Sequence, residues 1–138
     1  MTPHDYPLLM ELMRQTPGVT VRDADSLEGT ERYLLRNPNL SFMALVKDAA
    51  VACVMCGHDG RRGYLQHLLV LPAYRRQGIA NELVENCLSA LEEIGIFKTH
   101  IDVLTSNQPG LAYWGHQGWK LRTDIHRMSF VRKGGDNV

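Results

Sequence analysis

The sequence predicts an α/β domain (α+β by some schemes) built on a mixed, largely antiparallel central sheet. Three observations carry this. Two hairpin patterns run in succession from Ser41 to Val70. A glycine-containing turn then leads from the apolar Tyr64–Val70 stretch into a long segment where Ile79, Leu83, Val84, Cys87, Leu88, Leu91 and Ile94 recur at helical spacing. Two shorter amphipathic helices precede the hairpins. The chain has 138 residues, one domain's worth, and 44% hydrophobic content supports a real core.

The first helix is expected over Tyr6–Gln15, with Leu8, Leu9, Leu12 and Met13 on one face and Thr16-Pro17-Gly18 ending it. Asp25 or Ser26 can cap the second, from Leu27 to about Arg36, which stops before Asn37-Pro38. Ser41–Val46 and Ala50–Cys56 are strand-like runs joined by Lys47-Asp48-Ala49. A polar, glycine-rich turn, Gly57–Gly63, leads into Tyr64–Val70. Gly95 marks the end of the long helix. Lys98–Thr105 alternates as a strand, Pro109–His116 reads as a short helix, and Trp119–Arg122 and His126–Arg132 read as two closing strands. The tail, residues 133–138, is expected to fray, and the whole chain is expected to be one domain.

Formal net charge is zero, with 15 basic and 15 acidic residues, and no basic stripe appears. Nucleic acid is therefore not an expected partner. No apolar run is long enough for a membrane span, and the N-terminus lacks the pattern of a signal peptide. Three cysteines give no disulfide framework and suit a reducing cytoplasm. Cys53-x-x-Cys56 has zinc-like spacing, but strand positions three apart face opposite sides, so no metal is expected.

The chemistry concentrates in the turn Val70–Ala80. The first amides of a helix lack partners within it, and the helix dipole favours an anion there. Gly78 admits a close backbone approach, and Arg75 and Arg76 bring forked cationic donors for phosphate. Neither G-x-x-x-x-G-K-[ST] nor G-x-G-x-x-G is present. What remains, Arg75-x-x-Gly78-x-Ala80 after a strand ending Val70-x-Pro72, resembles the acetyl-CoA pyrophosphate loop of the GNAT family of N-acetyltransferases. Asn107, Gly110, Tyr113 and Gly118-Trp119 are similar to a second family segment, except that Trp114 stands where the family usually has Tyr.

The resemblance implies a GNAT-like sheet splayed at the cofactor site with helices on both faces, and direct acetyl transfer from acetyl-CoA, as co-substrate, to a primary amine of a small molecule or protein. The pyrophosphate would sit on Arg76, Gln77, Gly78, Ile79 and Ala80, with Arg75 adding charge. The pantetheine arm would run along Leu68, Leu69 and Val70. Asn107 would bond the cofactor and Trp114 would face it. Tyr113, or water, would protonate the leaving thiolate. Tyr64 and Gln66 would share a face with Leu68 and Val70 and relay a proton through water, while His67 would alternate to the opposite face. A monomer or homodimer is expected. The competing expectation is an acyl-CoA-binding sensor or regulatory module without turnover.

Overall fold

The computed structural model describes Met1–Val138, and its first two helices occupy the residues the sequence predicts for them. Helix α1 spans Tyr6–Gln15 and buries Leu9, Leu12 and Met13. The Thr16 hydroxyl donates to the Leu12 carbonyl at its end, 2.7 Å away. Helix α2 spans Leu27–Arg36; Ser26 Oγ accepts from the Gly29 amide at 3.1 Å, satisfying one of the orphan donors of the first turn.

Four strands follow: β1 (Phe42–Val46), β2 (Ala49–His58), β3 (Gly63–Val70) and β4 (Thr99–Ile101). They lie in the order β1-β2-β3-β4, antiparallel except for the parallel pairing of β3 with β4. Lys47 and Asp48 both adopt positive φ, 50° and 66°, as a tight two-residue hairpin turn requires. Helix α3 (Ile79–Glu93) makes the crossover between the parallel strands. It closes where Ile96 N reaches back to Leu91 O at 2.9 Å across Gly95, whose φ is 84°.

Helices cover both faces of this sheet. Cys53 and Met55 of β2 pack with Leu9, Leu12, Met13 and Leu34 from α1 and α2. On the opposite face α3 packs against β1, β2 and β3. A Cβ on Gly63 would stand only 2.6 Å from Leu91 Cδ1, so this glycine lets β3 and α3 approach closely.

The register of β2 and β3 slips in mid-strand. Cys53 pairs with Leu69, but Met55 pairs with Gln66, so two steps on β2 face three on β3. The extra residue is a bulge centred on His67, whose φ is 49°. Before it, Tyr64 and Gln66 lie opposite Gly57 and Met55 on the α1/α2 face. After it, Leu69 lies opposite Cys53 on that same face, and Val70 lies opposite Ala52 on the other. Strict alternation therefore fails. Leu68 and Val70 do not share a face with Tyr64 and Gln66, and His67 is not on the opposite face from them.

The chain divides into two compact units, Met1–Ile101 and Asp102–Val138. The second contains α4 (Gln108–His116), capped by Asn107, whose side chain accepts from the Gly110 amide at 3.0 Å. Gly118, with φ 89°, ends the turn after α4. Trp119 returns against Trp114, with ring centroids 4.8 Å apart at 67°. Three strand expectations change here. β4 stops at Ile101 rather than Thr105, and neither 119–122 nor 126–132 forms a strand. The alternation of Met128 and Phe130 with polar residues is real, but both are about 90% exposed and no neighbouring strand supplies hydrogen bonds. Periodicity alone does not make a strand without a partner.

Candidate functional site

The turn after β3 begins with a single 3-10 turn, Pro72–Tyr74. Arg76 and Gly78 then take left-handed conformations, φ 62° and 81°, and Gly78 becomes the N-cap of α3. Alternation of this kind turns successive amides toward one concavity, the geometry of an anion-binding nest. Helices α2 and α4 have side-chain caps, Ser26 and Asn107; α3 has none. A 15-residue helix thus begins at a residue with no side chain to cap it. A Cβ on Gly78 would meet nothing within 4 Å, so the chain's own packing does not demand glycine there; the positive φ does. Arg75–Gly78 are all exposed.

The second component is an open strand edge. The β3–β4 ladder pairs only Gly63–Leu65 with Thr99–Ile101. From Gln66 to Val70 no strand lies on that side of β3. Leu71 N donates to Val51 O at 2.9 Å across the β2 side. Backbone groups alternate in direction along a strand, so Leu69 also turns toward β2, whereas Leu68 and Val70 turn toward the open edge. Arg75 Nε occupies one of these groups, bonding Val70 O at 2.9 Å. The sheet is therefore parted where an extended arm was expected, although Leu69 itself offers that arm no backbone group.

The third component is a cleft of about 480 Å³ on the α1/α2 face. Asp25, Thr30, Arg32, Tyr33, Arg36 and Gln66 are among its walls. Gln66 is thus both a cleft residue and the first residue of the open edge. Tyr33 Oη is buried and makes no hydrogen bond. Burial pushes this phenol well above its ordinary pKa, with the nearby Gln66 side chain acting in the opposite direction, so it stays neutral.

Beside the cleft, His67 Nε2 lies 2.8 Å from Asp25 Oδ1. Asp25 is only 8% exposed and is held on all sides: its Oδ2 accepts from Arg22 N at 2.7 Å and its carbonyl accepts from Tyr6 Oη at 3.1 Å. The sequence shows both residues but not their meeting. In the sequence His67 stands among leucines, the usual setting of a core residue, and the bulge that redirects it has no glycine to announce it. A lone imidazole in an otherwise apolar strand was the available signal.

Tyr64 stands farther out, its ring tilted 40° to that of His100 at 5.6 Å and its hydroxyl 3.5 Å from Asp59 Oδ2. The structure thus gathers Tyr64, Gln66, Leu68, Val70 and the Arg75–Ala80 turn in the first unit. Asn107, Tyr113 and Trp114 belong to the second. There the Asn107 oxygen is committed to its helix cap, leaving its Nδ2 to donate outward. Trp114 is buried, whereas Tyr113 is half-buried, and burial raises the phenol's pKa. Cys53 and Cys56 face opposite sides of β2: Cys53 joins the α1/α2 core, and Cys56 interacts with Cys87 of α3. No group of three His, Cys, Asp or Glu side chains comes together anywhere.

Comparison with known proteins agrees with this architecture. The sequence profile described as the acetyltransferase (GNAT) family matches residues 6–119. The chain is 30% identical over 120 residues to the N-alpha-acetyltransferase MAK3 of Arabidopsis thaliana, covering 84% of this chain and 61% of that protein. It is 39% identical over 77 residues to the acetyltransferase ECA0875 of Pectobacterium atrosepticum, covering 56% and 55%. It therefore spans little more than half the length of these relatives. Its fold matches that of a PaiA N-acetyltransferase of Thermoplasma acidophilum solved with coenzyme A, at a TM-score of 0.78 and 17% identity, over 88% of this chain and 87% of that one. The chain belongs to the GNAT family of acetyltransferases.

Proposed function

We propose that this protein transfers an acetyl group from acetyl-CoA to a primary amine by direct attack within a ternary complex. The observation that carries the reading is the continuity of the open β3 edge with the uncapped start of α3. An extended arm hydrogen-bonded to Leu68 and Val70 leads along the strand toward the Arg76–Ala80 amides, where a pyrophosphate would be received. Arg75 and Arg76 add charge at the rim. An outward N–H at Leu68 or Val70 would polarise the thioester carbonyl as negative charge develops on its oxygen. The family resemblance adds Asn107 and Trp114 of the second unit as cofactor contacts. Indole is not a useful acid, so Trp114 would shape and dry the pocket while Tyr113 or water protonates the thiolate.

The amine would enter from the cleft that ends at Gln66, with Tyr64 and Gln66 ordering water along its path. Relatives named as N-alpha-acetyltransferases make a protein or peptide α-amine one natural acceptor, alongside small-molecule amines. No helix is long and apolar enough to cross a membrane. Buried, unbridged cysteines fit a reducing cytoplasm, and we assign the protein there as a monomer or homodimer.

The test combines two assays. Titration calorimetry with acetyl-CoA measures binding, and thiol release across peptides with free N-termini and small amines measures transfer. Binding with amine-dependent thiol release is the expected result. Binding without release toward any amine would instead support a sensor of acyl-CoA, and no binding would refute both readings.

A further inference from the structure

We propose that His67 is the base that removes the proton from the incoming ammonium, and that Asp25 is the positioning residue that makes it one. The inference rests on the acetyltransferase reading and adds to it a residue in a stated chemical role. A typical alkylammonium has a pKa near ~10, so at neutral pH the acceptor needs a proton acceptor beside it.

The geometry fixes which nitrogen can serve. An ionised carboxylate only accepts hydrogen bonds, so the 2.8 Å contact with Asp25 Oδ1 places the ring proton on Nε2. Nδ1 then carries the lone pair, and no protein group bonds it. The ring is partly open, its side chain 21% exposed, so it is not sealed in the core. The β3 bulge brings His67 onto the face where Asp25 and Gln66 wall the cleft. The next residue, Leu68, turns its backbone toward the open edge. His67 is not itself a wall of the cleft, but it bonds one wall residue, Asp25, and follows another, Gln66, so an amine passing them toward a thioester along Leu68–Val70 would meet the imidazole.

The step balances without any further reagent. Nδ1 takes one proton from the ammonium, and the freed nitrogen lone pair attacks the thioester carbonyl carbon. The C–S bond breaks, and its electron pair leaves with sulfur. As the amide forms, the attacking nitrogen sheds a second proton. Of the two protons, one ends on the thiolate and one in solvent, the imidazolium returning its own.

Around the pair, Arg32, Tyr33 and Arg36 also line the cleft that Asp25 walls. Asp25 comes from the turn before α2, and Tyr6 of α1 holds Asp25 in place. Cys53 of β2 bonds the His67 carbonyl. Burial raises the Cys53 thiol to about 12, so it stays neutral through the working range.

His67→Asn tests the idea without disturbing the backbone, because Asn accepts left-handed φ. The expected result is a fall in kcat of about 10²–10³-fold with an unchanged acetyl-CoA KM, partly restored by added imidazole in His67→Gly. Asp25→Asn offers the ring an amide that can donate as well as accept, so Nε2–H is no longer imposed, and kcat should fall with an unchanged acetyl-CoA KM. Nitrogen-15 NMR of the parent should show the Nε2–H tautomer. A parent that transfers acetyl while His67→Asn keeps its turnover would overturn this proposal alone, as would the Nδ1–H tautomer. A parent that transfers to no amine would overturn the acetyltransferase reading, while the tautomer measurement still reports on His67.

Discussion

Arg75 Nε donates to the Val70 carbonyl at 2.9 Å, so one arginine of the turn is fastened to the edge of the strand before it. Its neighbour Arg76 makes no such bond and sits at φ 62°. The two therefore serve differently. Arg75 ties the strand edge to the turn, and Arg76 shapes the turn itself.

Both Arg75→Ala and Arg76→Ala should raise the acetyl-CoA KM more than they lower kcat, since phosphates are remote from the reacting carbon. Loss of a charge-assisted contact costs about 1.5–3 kcal/mol, roughly a ten- to hundredfold change, and the difference from the parent should shrink as salt rises. Arg76→Gly, which keeps the left-handed turn, should bind better than Arg76→Ala. A large kcat loss at constant KM would contradict these roles.

Gly78→Asp should abolish acetyl-CoA binding. The informative control is Gly78→Asn, because both side chains tolerate left-handed φ and differ mainly in charge. Calorimetry should find that the Asn variant retains measurable affinity while the Asp variant, still folded by circular dichroism, has none. Equal affinities would place the pyrophosphate elsewhere.

Tyr33→Phe should stabilise the fold. Its hydroxyl is buried without a partner, and such a group costs about 1–3 kcal/mol relative to one left in water. A rise in the melting temperature is expected. Gly57→Ala should do the reverse, because its Cβ would stand 2.9 Å from Tyr33 Oη and 2.8 Å from Asn37 Nδ2. Overpacking of this kind costs about 1–3 kcal/mol. Combining the two substitutions should recover part of the loss, since Phe removes one of the clashing atoms.

Trp114→Ala should lose activity together with stability, since Trp114 is buried against Trp119 and truncations of this size cost about 3–5 kcal/mol. Trp114→Tyr should stay active, and Tyr113→Phe should keep most turnover. Measurements of kcat across pH decide between the adjacent rings. A Tyr113→Phe protein that binds acetyl-CoA normally but does not turn over would make Tyr113 the acid.

The helices were legible because their signals are local. Apolar spacing and the capping Ser26, with Pro38 beyond the end, bound α1 and α2 to the residue. The left-handed turn before α3 was legible for the same reason, since Gly78 and its neighbours lie within eleven consecutive residues, Val70–Ala80. The bulge was not. One inserted residue at His67 reverses the faces of Leu68, Leu69 and Val70, and nothing in Leu65-Gln66-His67-Leu68 distinguishes a bulged strand from a regular one. The Asp25–His67 pair depends on that bulge and joins residues 42 apart, so no spacing rule reaches it. The stretches 119–122 and 126–132 err the other way: side-chain alternation suggested strands, but a strand is completed by a neighbour, which a sequence window does not contain.

The parted sheet has a consequence for the empty protein. Leu68 and Val70 direct backbone groups outward from a half-buried apolar strand, and such an edge is a template for any extended polypeptide. Natural sheets blunt their edges with charge, proline or a covering segment. Here the strand offers Leu68-Leu69-Val70 with no charge among them, and Pro72 comes only after it ends. The arm that the edge is shaped to receive would then also serve as its cover. At high concentration or during refolding, chains with nothing along this edge would carry the liability to pair edge to edge, and a cofactor bound as proposed would remove it by occupying the same hydrogen bonds. On the proposed reading, solubility and ligation would both depend on one short length of backbone.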